Sequence, residues 1–216
     1  MKKLLIFMFI FVFLNGFTIQ YPEKLVELKK SKFTLYYYPD GKIPRYGIYT
    51  LEKVNVEKSP LKRRTYFPID KQVKSMGLPY AKSSDYKSKL NGFIIDKGHT
   101  IGNNAFNDDL KAQKETFLMS NITPQFPRVN RIINKKYENY EILLAKKYNK
   151  IQVITGNCGK KFKLKKGEIV PKFYFHIIKA GNNVYYILFP NDKNIKKLNY
   201  FTNKDVIERV CKIKIK

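Results

Sequence analysis

Three segments between residues 93 and 148 constrain the fold of this chain most. Residues 93–96 and 117–122 are short, apolar and strand-like. Residues 129–148 carry apolar side chains that recur near helical spacing, namely Ile132, Ile133, Tyr137, Tyr140, Leu143 and Leu144. The remaining apolar segments are also strand-like, and helical patterns are few. The sequence therefore predicts an α+β fold, in which helices flank a largely antiparallel sheet.

The first of these strands runs into a polar tetrapeptide, Asp96-Lys97-Gly98-His99. His99 is one of only two histidines in the chain, and a neutral imidazole is a natural general base near pH 7. The amides of Asn121 and Asn130 and the carboxylate of Glu138 follow downstream. Their oxygen atoms suit a hard cation such as Mg²⁺. A base and a hard metal in a basic protein indicate hydrolysis of a phosphodiester.

The chain is strongly basic, with 43 Lys and Arg residues against 17 Asp and Glu residues and a formal net charge of +26. Such an excess favours a polyanionic partner, because each phosphate that the protein neutralises releases counterions. A lysine-rich face exposed to solvent explains the charge equally well on composition alone. The polar motif decides between the two and favours DNA and RNA as partners.

The first residues have the pattern of an export signal. Lys2 and Lys3 precede an apolar run of eleven residues, 4–14, which is too short to cross a bilayer as a helix but suits a signal-peptide core. We therefore expect a signal peptide over about residues 1–19 and a single domain over residues 20–216. The protein would be secreted or periplasmic, without stable membrane association after cleavage. Retention as an uncleaved anchor is the alternative.

Cys158 and Cys211 are the only cysteines. They form no Cys-x-x-Cys pair, so a zinc site is not expected. In an exported chain, two cysteines permit one disulfide, which would tie the segment after Thr155-Gly156 to the C-terminal segment. Spacing alone leaves open whether this bond forms.

The ordered motifs resemble those of the DNA/RNA non-specific endonucleases, secreted sugar-non-specific nucleases with a ββα-metal active site. That family's signature reads Asp-Arg-Gly-His, then Ser-Asn-(Ile/Val)-(Thr/Ala)-Pro-Gln, then an Asn and, eight residues later, a Glu. Here residues 96–99 and 120–125, Asn130 and Glu138 keep this order and spacing. Residues 153–156 resemble the family's next strand, and a weaker resemblance extends from about Tyr46 to Val210.

The resemblance implies a role for each motif residue. His99 would take a proton from the water that attacks phosphorus, and Asn130 would hold Mg²⁺ or Mn²⁺. Glu138 would act on the metal through water, since eight residues of regular α-helix place it about 80° around the axis from Asn130. Asn121 would orient water or substrate, and Asp96 would fix the His99 loop through hydrogen bonds.

Structural alternatives exist for several of these residues. Asn130 could cap the long helix, Glu138 could be an ordinary surface glutamate, and Asn121 could be a buried amide that fixes a turn. Asn134, one helical turn after Asn130, is at most an auxiliary polar group. The second histidine, His176, has no comparable motif around it and is predicted to be a strand residue.

The chain departs from the family pattern at Lys97, where the family has arginine. Lysine keeps the charge and a role in substrate binding but lacks the bidentate fork that suits phosphate. The family also uses an upstream arginine to stabilise the pentacovalent phosphorus. We assign this role to Arg64, with the adjacent Arg63 as a substrate-binding residue and the alternative for the catalytic role.

The resemblance implies an exported, Mg²⁺-dependent endonuclease that hydrolyses phosphodiester bonds of DNA and RNA with little sequence preference. Contacts to phosphates position a protein without reading bases. If the pKa of His99 is unperturbed, the rate should rise through about pH 6.5. One alternative is a non-catalytic exported nucleic-acid-binding protein on a nuclease-like fold, which would be expected to have lost His99 or Asn130. Another is a polybasic protein that adheres to anionic membrane or polysaccharide, which needs no motif.

Overall fold

The computed structural model describes residues 18–58, 61–86 and 93–216, so most of the expected signal peptide lies outside it. The strands within these ranges are β1 (Ile19–Gln20), β2 (Val26–Lys29), β3 (Phe33–Tyr38), β4 (Ile43–Glu52), β5 (Asp96–His99), β6 (Ile122–Gln125), β7 (Lys150–Cys158), β8 (Phe162–Lys163), β9 (Ile169–Val170), β10 (Phe173–Ala180), β11 (Asn183–Pro190), β12 (Phe201–Thr202) and β13 (Lys214–Ile215). The α-helices there are α1 (Lys53–Val56), α2 (Lys71–Ser75), α3 (Leu110–Thr116), α4 (Lys135–Tyr148) and α5 (Lys204–Cys211).

Seven strands form one antiparallel sheet in the order β12-β11-β10-β7-β4-β3-β2. The central strand β7 pairs with β10 on one side and with β4 on the other. Three two-stranded antiparallel ribbons, β1-β13, β5-β6 and β8-β9, complete the strand pairing of the described ranges. The predicted α+β fold with a largely antiparallel sheet is confirmed.

Helices cover both faces of this sheet, because side chains alternate along each strand. On β10, Tyr174 and Ile178 belong to the apolar core that includes Tyr137 of α4. Phe175 and Ile177 belong to a second core on the opposite face, which includes residues of α5 and β13. Helix α4 therefore packs on one face of the sheet, and α5 packs on the other face.

The motif strands lie a few residues later than predicted. The tetrapeptide is itself strand β5, and it pairs with β6 so that Gly98 lies opposite Thr123 and His99 opposite Ile122. Residues 117–122 were predicted to be a strand, which is wrong, because Met119–Asn121 form a 3₁₀ turn and β6 begins at Ile122. The turn closes where the Asn121 backbone N–H donates to the carbonyl of Leu118 at 2.8 Å.

Gly98 on β5 lies directly against the Gln125 side chain on β6. A Cβ atom at this position would lie 2.2 Å from Cδ of Gln125, which is far below van der Waals contact. Any larger residue would force the buried Gln125 side chain to move, so the glycine of the motif has a packing role.

The helix predicted over residues 129–148 is present, and its first six residues, Val129–Asn134, are π-helical and lead directly into α4. Asn203 caps the last helix, α5, since its side chain accepts a hydrogen bond from the N–H of Val206 at 3.0 Å. Among the helices of the described ranges, none combines the length and apolar character needed to cross a bilayer.

The two cysteines form a disulfide, a bond whose formation their spacing in the sequence left open. Cys158 ends β7 and Cys211 ends α5, and their Cα atoms are 5.2 Å apart. Both residues are buried in the core on the α5 face. The bond therefore ties the C-terminal helix to the central strand of the sheet, on the face opposite to α4.

Removing this disulfide should lower the free energy of unfolding by about 4 kcal/mol, because the bond closes a loop with a sequence separation of 53 residues and restricts the unfolded chain. Urea unfolding of the oxidised protein and of the Cys158→Ala/Cys211→Ala variant measures the difference. Equal unfolding midpoints at an unchanged slope would contradict the expectation.

The ribbon β1-β13 holds together the two ends of the described chain. The N–H of Thr18 donates to the carbonyl of Lys216, and the N–H of Lys216 donates to the carbonyl of Thr18, both at 2.8 Å. Ile19 is buried in the α5-face core. A cut after residue 19 would therefore divide β1.

Candidate active site

His99 lies in a nearly closed aromatic pocket at the end of β5. Its ring centroid is 4.9 Å from that of Phe117, edge to face, and 5.7 Å from that of Phe67. The residue is 6% exposed, and its Nε2 atom is buried without a hydrogen-bond partner among the described residues. Since buried polar atoms are nearly always paired, this nitrogen is oriented to bind something outside the chain.

The environment of His99 keeps the ring neutral. Burial, with a smaller contribution from the positive charge of Arg63, lowers the pKa of His99 to about 3. The neutral ring has one nitrogen with a free lone pair, as a general base requires. The condition of an unperturbed His99, under which the rate would rise through about pH 6.5, therefore does not hold at this site.

Asn121 fixes the backbone that follows His99. Its Oδ1 accepts from the N–H of Ile101 at 3.0 Å, and its Nδ2 donates to the carbonyls of Ile101 at 2.9 Å and Thr116 at 2.8 Å. Both amide hydrogens are used, and the residue is completely buried. The structure thus places Asn121 behind the site, where it orients the turn after His99, and not at the edge that was expected to contact water or substrate.

Asp96 connects β5 to the start of the long helix, whereas the sequence led us to expect that it fixes the His99 loop. Its carboxylate accepts from Nδ2 of Asn130 at 3.0 Å and from Nε and Nη2 of Arg131, both at 2.8 Å. Because Asn130 donates through Nδ2 to Asp96, its Oδ1 faces the other way and can act as a ligand. Asn130 does not cap the helix, since the capping position is Arg128.

The π-helical turn changes the relation between Asn130 and Glu138. A π-helix bonds residue i to i+5, so each residue contributes less rotation about the axis than in an α-helix. The offset of about 80° expected for a regular α-helix is therefore reduced, and Asn130 turns toward the side of the helix that carries Glu138. Insertions of this type occur frequently at functional sites.

Glu138 is half-buried and faces the loop after His99. Its Oε1 accepts from Nδ2 of Asn134 at 2.9 Å. A Cβ atom at Gly102 would lie 2.9 Å from Cδ of Glu138, so the carboxylate packs directly against this glycine. The structure places Glu138 inside the candidate site and not on the open surface.

The structure brings Arg63 to the site, and not Arg64. The Arg63 guanidinium lies 5.9 Å from the centroid of Phe117, the ring that also packs on His99. Its charge adds to the effect of burial in lowering the pKa of His99, and it opposes the larger effect of burial that raises the pKa of Glu138. The Arg64 guanidinium lies 4.4 Å from the ring centroid of Tyr66 and donates to the hydroxyl of the same residue.

Arg64 also lines a cavity formed mainly by α3 residues. The sequence assigned the phosphate role to Arg64, and this geometry favours the adjacent arginine. The Lys97 Nζ lies 5.3 Å from the ring centroid of Phe67, which also contacts His99, so the basic residue of the motif borders the same pocket.

Four buried residues near Glu138 were missed as parts of the site by sequence reasoning: Asn134, His176, Glu141 and Tyr49. His176 is a strand residue, as predicted, but both of its ring nitrogens are hydrogen-bonded. The four-residue spacing from Asn134 to Glu138 on a helix was the available signal for the first link. The other links join distant parts of the chain, for which the sequence contains no local signal.

Glu138 should make the stability of the metal-free protein depend on pH. Burial, and then the nearby charge of Glu141, raise the pKa of Glu138 to about 7, whereas an unfolded glutamate has a pKa of about 4.3. The folded state thus holds this proton more tightly than the unfolded state. The contribution of Glu138 to the stability of the folded protein is fully present below about pH 4.3 and is lost as pH rises through about 7.

The measurement compares urea unfolding of the wild type and of Glu138→Gln without metal, from about pH 4.5 to about pH 8.5. We expect the wild type to lose stability relative to the variant as pH rises, with the difference levelling off above about pH 7. A difference that does not vary with pH would contradict this account.

A metal at this site would depend on oxygen ligands. In the described ranges, no group of three or more His, Cys, Asp and Glu residues is placed to hold a metal ion. The Oδ1 of Asn130 and the carboxylate of Glu138 would instead supply oxygen atoms, and water would fill most of the remaining positions. This donor set fits Mg²⁺, which keeps several of its waters when bound to protein.

Comparison with known proteins shows which fold and which family the chain has. A solved structure of EndoG in complex with EndoGI, which describes the inhibition of EndoG, superposes with a TM-score of 0.72 at 20% identity and covers 89% of this chain and 86% of that chain. At this identity the similarity concerns the fold. No curated protein matches the chain significantly by sequence. The family model of the DNA/RNA non-specific endonucleases matches residues 14–214. Because this match spans nearly the whole chain, the protein belongs to the DNA/RNA non-specific endonuclease family.

Proposed function

We propose that the protein is an exported, Mg²⁺-dependent endonuclease that hydrolyses phosphodiester bonds of DNA and RNA with little sequence preference. The observation that carries this proposal is the buried, unpartnered Nε2 of His99 in a ring whose pKa is held far below neutrality. Such a nitrogen is unprotonated at any pH near 7, which is the form that a general base requires.

In the proposed reaction, Nε2 of His99 accepts a proton from the water that attacks phosphorus. The charge of Arg63, which lies over the ring of Phe117, would stabilise the negative charge that develops on the phosphate. The same arginine lowers the basicity of His99 in the free protein. A bound phosphate would offset this positive charge, so His99 becomes a stronger base when substrate is present.

Asn130 would hold the metal through Oδ1, and Glu138 would hold water bound to it. When bound, the ion supplies positive charge to the phosphate and to the departing oxyanion. Asp96 fixes the orientation of the Asn130 amide in advance, and Mn²⁺, which accepts the same oxygen ligands, would be an alternative ion.

The charge of the protein supports binding to DNA and RNA. The formal net charge of +26 favours any polyphosphate, and Lys97 borders the pocket that contains His99. Contacts of this type read charge and backbone and not base sequence, which supports activity on both kinds of nucleic acid.

Export is proposed from the basic and apolar pattern of residues 1–14 and fits the disulfide, a bond typical of oxidising compartments. Processing that leaves β1 intact would occur before Thr18, because Thr18 and Ile19 pair with the C-terminal strand. The mature protein would be secreted or periplasmic, without stable membrane association.

The test is to incubate the purified chain with supercoiled plasmid and with RNA, in Mg²⁺ and in excess EDTA. We expect cleavage of both substrates in Mg²⁺ and none in EDTA. Asn130→Ala should raise the Mg²⁺ concentration needed by at least about tenfold. Undiminished cleavage in EDTA, or Zn²⁺ as the best activator, would contradict the proposed metal site. Salt-sensitive binding without cleavage under any condition would instead support the non-catalytic alternative.

A further inference from the structure

Glu138 lies at one end of a buried polar chain that runs from the long helix into the sheet. The Nδ2 of Asn134 donates to Oε1 of Glu138 at 2.9 Å, and Oδ1 of Asn134 is 3.0 Å from Nε2 of His176. The Nδ1 of His176 is 2.6 Å from Oε1 of Glu141. The hydroxyl of Tyr49 donates to the other oxygen of Glu141 at 2.5 Å.

Every side chain of this hydrogen-bonded series beyond Glu138 is buried. Asn134, His176, Glu141 and Tyr49 are each less than 5% exposed. The His176 ring is also in contact with the rings of Tyr137 and Phe189. Polar and charged groups in such an apolar setting cost free energy even when they are paired, and well-packed apolar residues often stabilise a fold better. A contribution to fold stability is therefore a weak explanation for this network.

The hydrogen-bond directions along the chain are fixed by chemistry. An ionised Glu138 can only accept, so Asn134 must face it with Nδ2, which leaves Oδ1 facing His176. The Nε2 of His176 must then carry a hydrogen. The remaining proton lies between Nδ1 of His176 and Oε1 of Glu141. The hydroxyl of Tyr49 donates to the second oxygen of that carboxylate.

We propose that His176 is a positioning residue for the nuclease reaction, which sets the orientation of the Asn134 amide and through it holds the Glu138 carboxylate toward the active site. Glu141 and Tyr49 hold the His176 ring in the orientation that this requires. The inference rests on the proposed function, in which Glu138 acts at the metal. It gives the helix two oriented amides, Asn130 fixed by Asp96 and Asn134 fixed by His176.

A double-mutant cycle tests the proposal, using kcat and KM of wild type, Asn134→Ala, Glu138→Gln and the double variant. If Asn134 acts through Glu138, Asn134→Ala should lower kcat by about 10- to 100-fold with little change in KM for DNA. It should then have almost no further effect in the Glu138→Gln background. Effects of the two variants on kcat that multiply fully would overturn the proposal.

Two further variants separate positioning from folding. Asn134→Asp keeps the size and an oxygen for His176 but places a carboxylate against Glu138, so its kcat should fall at least as far as that of Asn134→Ala. Asn157→Ala removes a buried amide on β7 that bonds to Pro44 and Arg45. It should lower stability, and any effect on kcat should multiply with that of Glu138→Gln. Urea unfolding verifies that each variant is folded in the assay.

A spectroscopic measurement tests the hydrogen-bond directions without using activity. In ¹⁵N-labelled, metal-free protein at about pH 8, Nε2 of His176 should show a directly bonded hydrogen by NMR. An Nε2 without hydrogen would reverse the Asn134 amide and overturn the proposal. If the wild type does not cleave nucleic acid at all, the proposed function fails. The NMR result still decides the direction of the hydrogen bonds between Glu138 and His176.

Discussion

Replacing His99 with alanine should lower kcat by about 10²- to 10⁴-fold, the usual contribution of a general base, and leave nucleic-acid affinity nearly unchanged. The reason is the position of the ring, which is enclosed by Phe67 and Phe117 and only 6% exposed. It is placed to take a proton at one atom and not to contribute charge to binding. Single-turnover cleavage measures the first quantity, and DNA binding in EDTA measures the second.

The cavity left in His99→Ala provides a control. Free imidazole added to this variant should restore part of the lost rate, because it can occupy the space beside the two phenylalanine rings that the His99 ring has left and accept the same proton. Urea unfolding separates the loss of a base from the loss of packing. Near wild-type cleavage by His99→Ala would remove this residue from the mechanism.

Arg63→Ala should lower kcat by about 10²- to 10³-fold, as expected when one stabilising donor is removed from a transition state, whereas Arg64→Ala should change it only a few-fold. Arg63 acts on His99 and Glu138 and packs on Phe117. Arg64 is held by Tyr66 and lines a cavity next to α3. Steady-state cleavage of one plasmid by both variants measures the contrast.

The two arginines form a matched pair, since each substitution removes one positive charge from adjacent positions. General weakening of DNA binding, and the dependence of that binding on salt, should therefore be similar in both variants. The pKa of His99, followed by NMR, should rise above about 3 in Arg63→Ala and stay near that value in Arg64→Ala. A larger loss of kcat in Arg64→Ala would return the phosphate role to Arg64.

The sequence predicted those parts of the fold that depend on local patterns. The 20-residue helical pattern at 129–148 is present, because apolar spacing acts within a few residues. His99 lies on a strand, and Asn130 and Glu138 lie on the long helix. The motif indicated that these residues should be grouped, although Asn130 follows His99 by 31 residues and precedes Glu138 by 8.

The remaining features depend on contacts between distant residues. Arg63 and Arg64 could not be distinguished, because neighbouring side chains of an extended segment point to opposite sides, and only the packing of Phe117 determines which one faces His99. His176 and Glu141 are 35 residues apart and lie on different elements, so no local pattern indicates that they meet. The π-helical turn, which changes the relation of Asn130 to Glu138, has no sequence mark of its own.

The pairing of the two chain ends and the disulfide together determine how the protein responds to mechanical force. A pull on Lys216 would open the β1-β13 ribbon one hydrogen bond at a time, because the load enters at the open end of that ribbon. The load would then reach Cys211 and pass through its bond to Cys158 in the central strand. An enzyme that unfolds the protein by pulling on its C-terminal side would thus extract residues 212–216 with little force. It would then have to break the hydrogen bonds of the whole sheet at once. In the oxidised protein, β5, β6 and α4 are protected from stepwise unravelling in that direction.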